Sequence, residues 1–291
     1  MPIKVEQLSY TYRTENHEIP ALKNINFSIE DGEFAGIMGR SGCGKTTLVQ
    51  MIAGLLIPTH GQVIIDGSDI NQRNYNREIL RKTVGIVFQY PEYQLFETTV
   101  EKDVSFGLKH SGLSKSDIKE RVKQVLELMD FSFDNIRGKA PLSLSGGEKR
   151  RVAIAGVLAV NPKILIFDEP IAGLDSLGRK TFLRLIEKLI ERGTTILMIS
   201  HDADVLADHT KRLLVLDQGN LILDGPTKDI YSDLKRMEQL KLGVSTSRRL
   251  AEKLNSQGFH IPQNTITYEG LLSAICSEYN KFLSEPEGRS I

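Results

Sequence analysis

The sequence predicts an α/β protein built round a largely parallel sheet with helices on both faces. Three observations carry this. Short apolar or alternating runs, at 34–38, 84–88, 163–168, 194–200 and 212–216, have the length and composition of strands. Stretches with apolar residues at helical spacing separate several of them. The run at 34–38 feeds directly into a glycine-rich stretch that opens a helix, giving strand, loop and helix in that order.

Composition narrows the classes. The 291 residues allow one large domain or a domain with an appendage. Hydrophobic residues make up 40% and charged residues 25%, an ordinary globular balance that can bury a core. Lys plus Arg and Asp plus Glu both total 37, so no global field draws the chain to nucleic acid or anionic lipid. Phosphate binding must then be local. The longest apolar runs, 152–160 and 164–167, fall well short of the roughly 20 residues a spanning helix needs, so no membrane insertion is expected. Residues 1–6 lack a signal-peptide core. Cys43 and Cys276 are too few for a disulfide framework and too scattered for a zinc site, which fits a reducing cytosol. A soluble chain whose membrane role comes through a partner is the expectation.

In chain order, 3–8 and 24–29 read as strands. In the second, Ile25, Phe27 and Ile29 alternate with polar residues, the pattern of a half-buried strand. A helix starts near Lys45, carries Leu48 and Ile52, and has a stop at Gly54. Residues 63–65 and 84–88 are strands. Residues 90–160 then read as a mostly helical insert. In it, Ser114 to Asp117 has the form of a capping box, followed by Ile118, Val122, Val125, Leu126 and Met129 at helical spacing. A second helix is expected over 145–160, ended by Asn161-Pro162. Strands at 163–168, 194–200, 212–216 and 221–223 follow, with Phe182, Leu185, Ile186, Leu189 and Ile190 marking a helix between the first two. Residues after about 230 form a polar, helical appendage.

Gly39-Arg40-Ser41-Gly42-Cys43-Gly44-Lys45-Thr46 fits the phosphate-loop pattern G-x-x-x-x-G-K-[ST]. The glycines let backbone N–H groups converge on phosphates, and the helix N-terminus adds its dipole. Lys45 can bridge the β- and γ-phosphates, and Thr46 can hold Mg²⁺. The nucleotide site is expected to take in Gly39, Arg40, Ser41, Gly42, Cys43, Gly44, Lys45, Thr46 and Thr47. The bland reading, a glycine-rich turn that contains a lysine, does not explain the correct strand and helix on either side. Cys43 lies next to Lys45 and near a helix N-terminus, two features that lower a thiol pKa and make it reactive; a small filler residue is the competing reading.

The run 163–169 is a buried strand ending in Asp168 and Glu169. An aspartate at a strand end can hold the shell of a Mg²⁺ ion. Glu169 then stands where it can polarise an attacking water. A strand running into an acidic turn before Pro170 is the alternative, weakened by the phosphate loop upstream.

Leu144-Ser145-Gly146-Gly147-Glu148 resembles the LSGGQ signature of ABC (ATP-binding cassette) ATPases. A serine and two glycines at a helix start make an anion site, and a chain that already has one phosphate cradle can use a second on another protomer. The resemblance implies that arrangement: two ATPases sandwich two nucleotides head to tail, with Ser145, Gly147 and Glu148 facing the partner's ATP. Three further segments match the family. Gln89, after the strand at 84–88, is similar to the glutamine that senses Mg²⁺ and the membrane partner. Ala172-Gly173-Leu174-Asp175 resembles the D-loop, and His201, after the strand at 194–200, resembles the switch histidine at the γ-phosphate. Tyr12 resembles the aromatic that stacks on adenine, with Tyr10 as competitor. The implied catalytic set is Glu169, His201, Lys45 and Gln89, and the implied Mg²⁺ set is Thr46, Gln89 and Asp168. The implied fold is a P-loop NTPase of the ABC cassette type, with a helical insert, an antiparallel β portion and a small C-terminal extension. Two departures stand out: Glu148 replaces the signature Gln, and Ile171 stands where Thr is usual.

Two stretches are similar to the energy-coupling-factor (ECF) importers of vitamins and transition-metal ions. One is Phe88 to Val100, containing Pro91-Glu92-Tyr93-Gln94-Leu95-Phe96, with Asp103 to Gly107. The other is the tail, with Met237 to Val244, Arg249 to Leu254, Gly258, Pro262 and Tyr268 to Leu272. The resemblance implies a cassette over 1–232 and a dimerisation extension over 233–291. It implies a second ABC ATPase subunit as partner, with a heterodimer favoured and a homodimer as the alternative. It also implies a transmembrane scaffold protein, a substrate-binding membrane component and a peripheral place on the cytoplasmic face of the cell membrane. Tyr90, Tyr93, Leu95 and Phe96 would suit a groove for a short helix of the membrane partner, or else belong to the insert's core. The tail's apolar residues must pack on their own cassette or on the other protomer, and the resemblance favours the second. Alternatives are a soluble ABC ATPase acting on nucleic acid, which would need a long coiled coil or zinc modules, and the ATPase of another importer or an exporter.

Overall fold

The computed structural model describes residues 2–14, 17–109 and 111–284. The elements begin with β1 (Ile3–Arg13), β2 (Glu18–Ile29), β3 (Phe34–Gly39), α1 (Lys45–Ile52), β4 (His60–Ile65), β5 (Ser68–Asp69), α2 (Arg77–Thr83) and β6 (Val84–Val87). Four helices follow: α3 (Val100–Ser105), α4 (Lys115–Leu128), α5 (Phe133–Ile136) and α6 (Gly146–Ala159). Then come β7 (Ile164–Asp168), α7 (Ser176–Glu191), β8 (Thr195–Ile199), α8 (Ala203–His209), β9 (Arg212–Asp217) and β10 (Asn220–Pro226). The chain continues with α9 (Thr227–Ser232), α10 (Leu234–Gln239), α11 (Thr246–Asn255) and α12 (Tyr268–Ser284). Two compact units emerge: the chain up to 33 with 46–199, and 34–45 with the chain from 200 onward.

The first unit contains an antiparallel sheet in the order β2-β1-β4-β5. β1 and β2 run well beyond the expected 3–8 and 24–29, pairing as far as Tyr12 with Ile19 and Arg13 with Glu18. Pro20 hid that extension, because proline lacks the N–H a ladder uses. It is tolerated here because β2 is an edge strand of this sheet. The same unit holds the parallel ladder β8-β7-β6, with Val84 opposite Ile164 and Ile164 opposite Thr195. Every residue of β7 and β8 is buried, which is why both read as unbroken apolar runs. α7 packs Phe182 edge-on against Phe167 of β7, with ring centroids 5.3 Å apart. The expected stop of α1 is present: Gly54 has φ +69° and Leu55 N–H closes back on the Gln50 carbonyl at 2.8 Å.

Between 90 and 160 the chain is helical, in α3 to α6 with short turns at Pro91–Gln94, Phe106–Leu108 and Pro141–Ser143. Ser114 caps α4 by accepting from Asp117 N–H, but its hydroxyl donates to the Asp117 carboxylate rather than completing a reciprocal box. The reciprocal capping box is at α6, between Ser145 and Glu148. Helices α2 and α8 went unread in the sequence because seven-residue helices carry too few turns to show a period; Asn76 and Asp202 cap them.

In the second unit β3 and β9 pair in parallel and β10 returns antiparallel to β9. One core cluster joins Met38, Leu206, Leu213, Val215 and Tyr231 to Met237, Val244 and Ile266 of the tail. The first part of the tail therefore packs on its own chain, where the resemblance favoured the other protomer. Thr246 adds two bonds to Asp204 at the start of α8, at 2.6 and 2.8 Å. A small second cluster, Ala251, Ile261 and Leu271, holds α11 to α12. Residues 285–291 of the expected extension lie outside the described residues. No helix among the described residues is long and apolar enough to cross a membrane.

Candidate nucleotide site

The phosphate loop is shaped by close approach of backbone. Gly39 has φ +155°, and a Cβ there would meet the Leu216 carbonyl oxygen at 2.3 Å and Cys43 Sγ at 2.6 Å, so no other residue fits. Gly44, with φ +108°, turns the chain into α1. Lys45 is buried, and its ammonium donates to the carbonyls of Gly39 at 2.7 Å and Arg40 at 3.0 Å. The lysine thus folds back over the loop and holds it as a ring. Arg40, Ser41 and Gly42 are exposed at the rim.

At Cys43 the structure supports the filler reading over the reactive one. Its side chain is 4% exposed. Burial pushes the thiol pKa up, and the positive charge of Lys45 offsets this only in part. A buried neutral thiol is a filler, not a reactive group.

Thr46 Oγ1 donates to Asp168 Oδ2 at 2.9 Å. A hydroxyl paired to a carboxylate is a donor set that suits Mg²⁺, which takes one or two protein oxygens and completes its shell with phosphate and water. The described residues contain no group of three or more His, Cys, Asp or Glu able to hold a metal by themselves, so an ion here would depend on the substrate's oxygens. Thr47, buried, shares a hydrogen bond of 3.1 Å with Tyr12 Oη. Tyr12 is 39% exposed and rests edge-on against Tyr10, with centroids 4.8 Å apart. Tyr10 supports and Tyr12 presents a face, which supports Tyr12 as the stacking residue.

Glu169 follows Asp168 in the left-handed region, φ +51°, a conformation that costs a non-glycine residue about 1–2 kcal/mol. Its N–H donates to Ile199 O at 3.0 Å. Gln89 is exposed just past β6, and His201 is exposed just past β8.

The signature stretch is a helix cap. Ser145 Oγ accepts from Glu148 N–H at 3.3 Å, and the Glu148 carboxylate accepts from Ser145 N–H at 2.8 Å. These bonds to Ser145 hold the Glu148 carboxyl below its ordinary pKa. Asp175 caps α7 by accepting from Gly178 N–H at 2.7 Å. Ser145, Gly147, Glu148 and Asp175 line one cleft of about 750 Å³, and Tyr12, Thr46 and Thr47 are not among its lining residues. The stretches at 144–148 and 172–175 are brought together at this cleft; Thr46 and Thr47 do not line it.

Arg150 and Glu92, both lining that cleft, were given no site role in the sequence. Arg150, on α6, is 4% exposed and donates to the carbonyls of Ala172 (2.8 Å), Pro170 and Glu169 (3.4 Å). Glu92 lines the same cleft. The signal for Arg150 was available: it stands four residues before Ile154 and eight before Leu158, a charge in the register of a buried helix face. Glu92 gave no such signal.

The chain matches the family described as ABC transporter over residues 22–172. It is 43% identical over 271 residues to the energy-coupling factor transporter ATP-binding protein EcfA2 of Clostridium perfringens, covering 92% of this chain and 94% of that one. Among solved structures it resembles cbiO1 of Clostridium perfringens, part of the ABC transporter complex cbiONQ, with TM-score 0.71 and 35% identity over 87% of this chain and 98% of that one. A dimeric post-hydrolysis state of the ATP-binding cassette MJ0796, bound to ADP and Pi, aligns with TM-score 0.70 and 32% identity over 77% of this chain and 98% of that one. This chain therefore belongs to the ABC transporter family, a family of ATP-binding cassettes, and within it to the ATP-binding proteins of energy-coupling factor transporters.

Proposed function

We propose that the chain binds and hydrolyses Mg·ATP as one of two ATPase subunits of an ECF-type importer of vitamins or transition-metal ions. The 2.9 Å bond from Thr46 to Asp168 carries the catalytic part of this reading, since it joins the phosphate-loop helix to the strand-end carboxylate in one Mg²⁺-competent pair. Lys45 and the loop N–H groups hold the β- and γ-phosphates, and Tyr12 stacks on the adenine. Thr46, Asp168 and Gln89 would hold Mg²⁺, which would neutralise charge on the phosphates. Glu169 orients the attacking water and takes its proton, and His201 contacts the γ-phosphate. The catalytic contribution is positioning and charge compensation, as phosphoryl transfer requires.

A second protomer is needed for the rest. The cleft that holds Ser145, Gly147 and Asp175 is not lined by the chain's own Thr46 and Thr47, which supports the use of that face on a nucleotide held by another subunit. Only a closed pair makes both sets of contacts, so ATP binding favours closure. Residues 1–232 act as the cassette and 233–291 as an extension that keeps protomers together, with a heterodimer favoured. The subunit sits peripherally on the cytoplasmic face, against a transmembrane scaffold that also carries a substrate-binding component.

The docking face is supported by exposure. Tyr93 is 84% exposed, Phe96 63% and Tyr90 44%, whereas Leu95 is buried and belongs to the core. Affinity purification of the full chain from solubilised membranes tests the reading: a polytopic scaffold protein copurifies, and Tyr93→Ala loses it while basal ATPase activity remains. An ATPase that purifies without membrane proteins and is stimulated by DNA or RNA would establish the nucleic-acid alternative instead.

A further inference from the structure

Two charged groups of opposite sign are buried in the same cleft without completing a bond to each other. Arg150 Nε is shielded from solvent with no acceptor, and Glu92 Oε2 is shielded with no donor. Both residues line the 750 Å³ cleft beneath the signature helix. Buried polar groups left unmatched are rare and unfavourable, and they cost most when charged. The Glu92 charge nonetheless reaches the guanidinium: burial lowers the Arg150 pKa and Glu92 is the largest influence opposing it.

The rest of the guanidinium is engaged with the catalytic turn. Its two terminal nitrogens gather the carbonyls of Glu169, Pro170 and Ala172. That is the turn in which Glu169 holds its left-handed φ of +51°. Such a conformation persists only where its surroundings over-determine it, and a planar fork with fixed donor directions does so better than a point charge. Glu92, which lines the same cleft as the arginine, lies in the short turn Pro91–Gln94, three residues after Gln89. That turn points the exposed ring of Tyr93 outward and the Glu92 carboxylate inward. A displacement of this turn would change the distance between that acid and Nε.

We infer that Arg150 is a positioning residue for Glu169, and that Glu92 sets the position of the Arg150 guanidinium according to where the turn Pro91–Gln94 lies. The inference rests on the reading of Glu169 as the group that activates water. When the turn moves inward, the Glu92 carboxylate pairs with Nε and steadies the fork on the Glu169 turn. When it moves outward, the fork loses its rear support. The route from the exposed aromatic face to the water-activating acid is then Tyr93, Glu92, Arg150, Glu169, with no contact to the nucleotide.

The test measures steady-state ATP hydrolysis by the full-length chain in its copurified membrane complex, for Glu92→Gln, Arg150→Lys and the double variant. Glu92→Gln keeps the shape of the side chain and removes its charge. Arg150→Lys keeps the charge and removes the fork. Each is expected to lower kcat about tenfold with KM for ATP unchanged, because the ground-state nucleotide contacts are untouched while the acid is misplaced. The double variant should be no slower than the slower single, since both act through one contact. Effects on kcat that multiply, a rise in KM matching the fall in kcat, or wild-type kcat in Glu92→Gln would overturn the inference. Should Arg150→Lys fail to fold, the kcat and KM of Glu92→Gln decide alone. Glu169→Gln is measured alongside: its loss of turnover with wild-type kcat in the other variants refutes only the positioning role, whereas turnover in Glu169→Gln refutes the water-activating role itself.

Discussion

Thr46 Oγ1 and Asp168 Oδ2 meet at 2.9 Å although 122 residues separate them in the chain. The bond fixes the first turn of α1 to the last residue of β7. In this arrangement the carboxylate charge is what a cation would use, and the hydroxyl is neutral. Asp168→Asn preserves the size of the side chain and removes the charge. It is expected to weaken Mg·ATP binding by about 10- to 100-fold, the range for loss of a metal-site partner. Binding of ATP in EDTA should stay at the wild-type value. Titration calorimetry with and without Mg²⁺ checks this, and equal losses in both conditions would mean that the residue serves the fold alone.

Glu169 stands next to that pair without being part of it. Glu169→Gln is expected to bind Mg·ATP like the wild type and to lower kcat by at least about 100-fold, the scale of a lost general base. With the γ-phosphate retained, the closed pair of protomers should accumulate and elute as a dimer in ATP on size exclusion. Hydrolysis at the wild-type rate would remove Glu169 from the mechanism.

How much of this was legible in the sequence depends on the range of the forces involved. The phosphate loop was legible because glycine at 42 and 44 is a local demand of the backbone, which takes a positive φ at both. The strands β7 and β8 were legible because burial on both faces leaves an unbroken apolar run. Glu148 departs from a motif in the sequence, and only the fold brings its carboxylate back to Ser145 N–H. The sequence left Cys43 undecided between a reactive thiol and a filler for the complementary reason. Its neighbours in sequence, Lys45 and a helix start, lower a thiol pKa, but desolvation by residues remote in the chain outweighs them. Arg150 and Glu92 belong to the same class, since their meeting depends on how α6 packs beside the turn Pro91–Gln94.

The capping role of Glu148 leads to an asymmetric expectation. Gln caps as Glu does, so Glu148→Gln keeps the box. It also removes a negative charge from a motif proposed to face a γ-phosphate. KM for ATP should fall a few-fold, with thermal stability near that of the wild type. Glu148→Ala removes both functions and should lower the melting temperature as well, a cap being worth about 1 kcal/mol. The wild-type carboxyl is held below its ordinary pKa, so the Glu148 contribution to stability is present above the unfolded-state value and is lost as pH falls through the folded-state value. Glu148→Gln should flatten that acid limb in melting curves, and an unchanged limb would place the carboxylate outside the cap in solution.

The thiols should separate cleanly. Cys276 is exposed and Cys43 is buried. A thiol reagent at neutral pH should modify Cys276 rapidly and Cys43 slowly, with ATPase activity intact after the first event. The folded state favours the neutral thiol of Cys43, so its contribution is present below the unfolded-state pKa and fades as pH rises through the higher folded-state value. Cys43 modification should accelerate in that alkaline window. Rapid inactivation at neutral pH in Cys276→Ser would show that the loop opens and exposes Cys43.

The tail divides into a part that folds and a part that faces outward. Met237, Val244 and Ile266 share a core with Tyr231 and Leu206, and Leu240 and Leu242 pack against it. Deleting 233–291 strips large side chains from that core, each worth about 2–5 kcal/mol when lost from a buried site. The truncated chain should therefore melt far below the full-length protein, and its association would report unfolding rather than an interface. The outward part supplies the sharper experiment. Leu272 is 50% exposed and Leu250 42%, apolar groups on α12 and α11 left uncovered among the described residues. If the extension holds two protomers together while their nucleotide faces separate, Leu272→Glu should weaken nucleotide-free association about tenfold, as loss of a well-packed interface residue does. Its melting temperature and Mg·ATP affinity should match the wild type, because the substitution is on the surface. Closure for each new round would then start from a lower effective concentration, and kcat at low protein concentration should fall with it. Sedimentation velocity without nucleotide, with the proper partner present, reads the association directly. Association of Leu272→Glu equal to that of the wild type would mean that the outward face of α12 does not hold the protomers together.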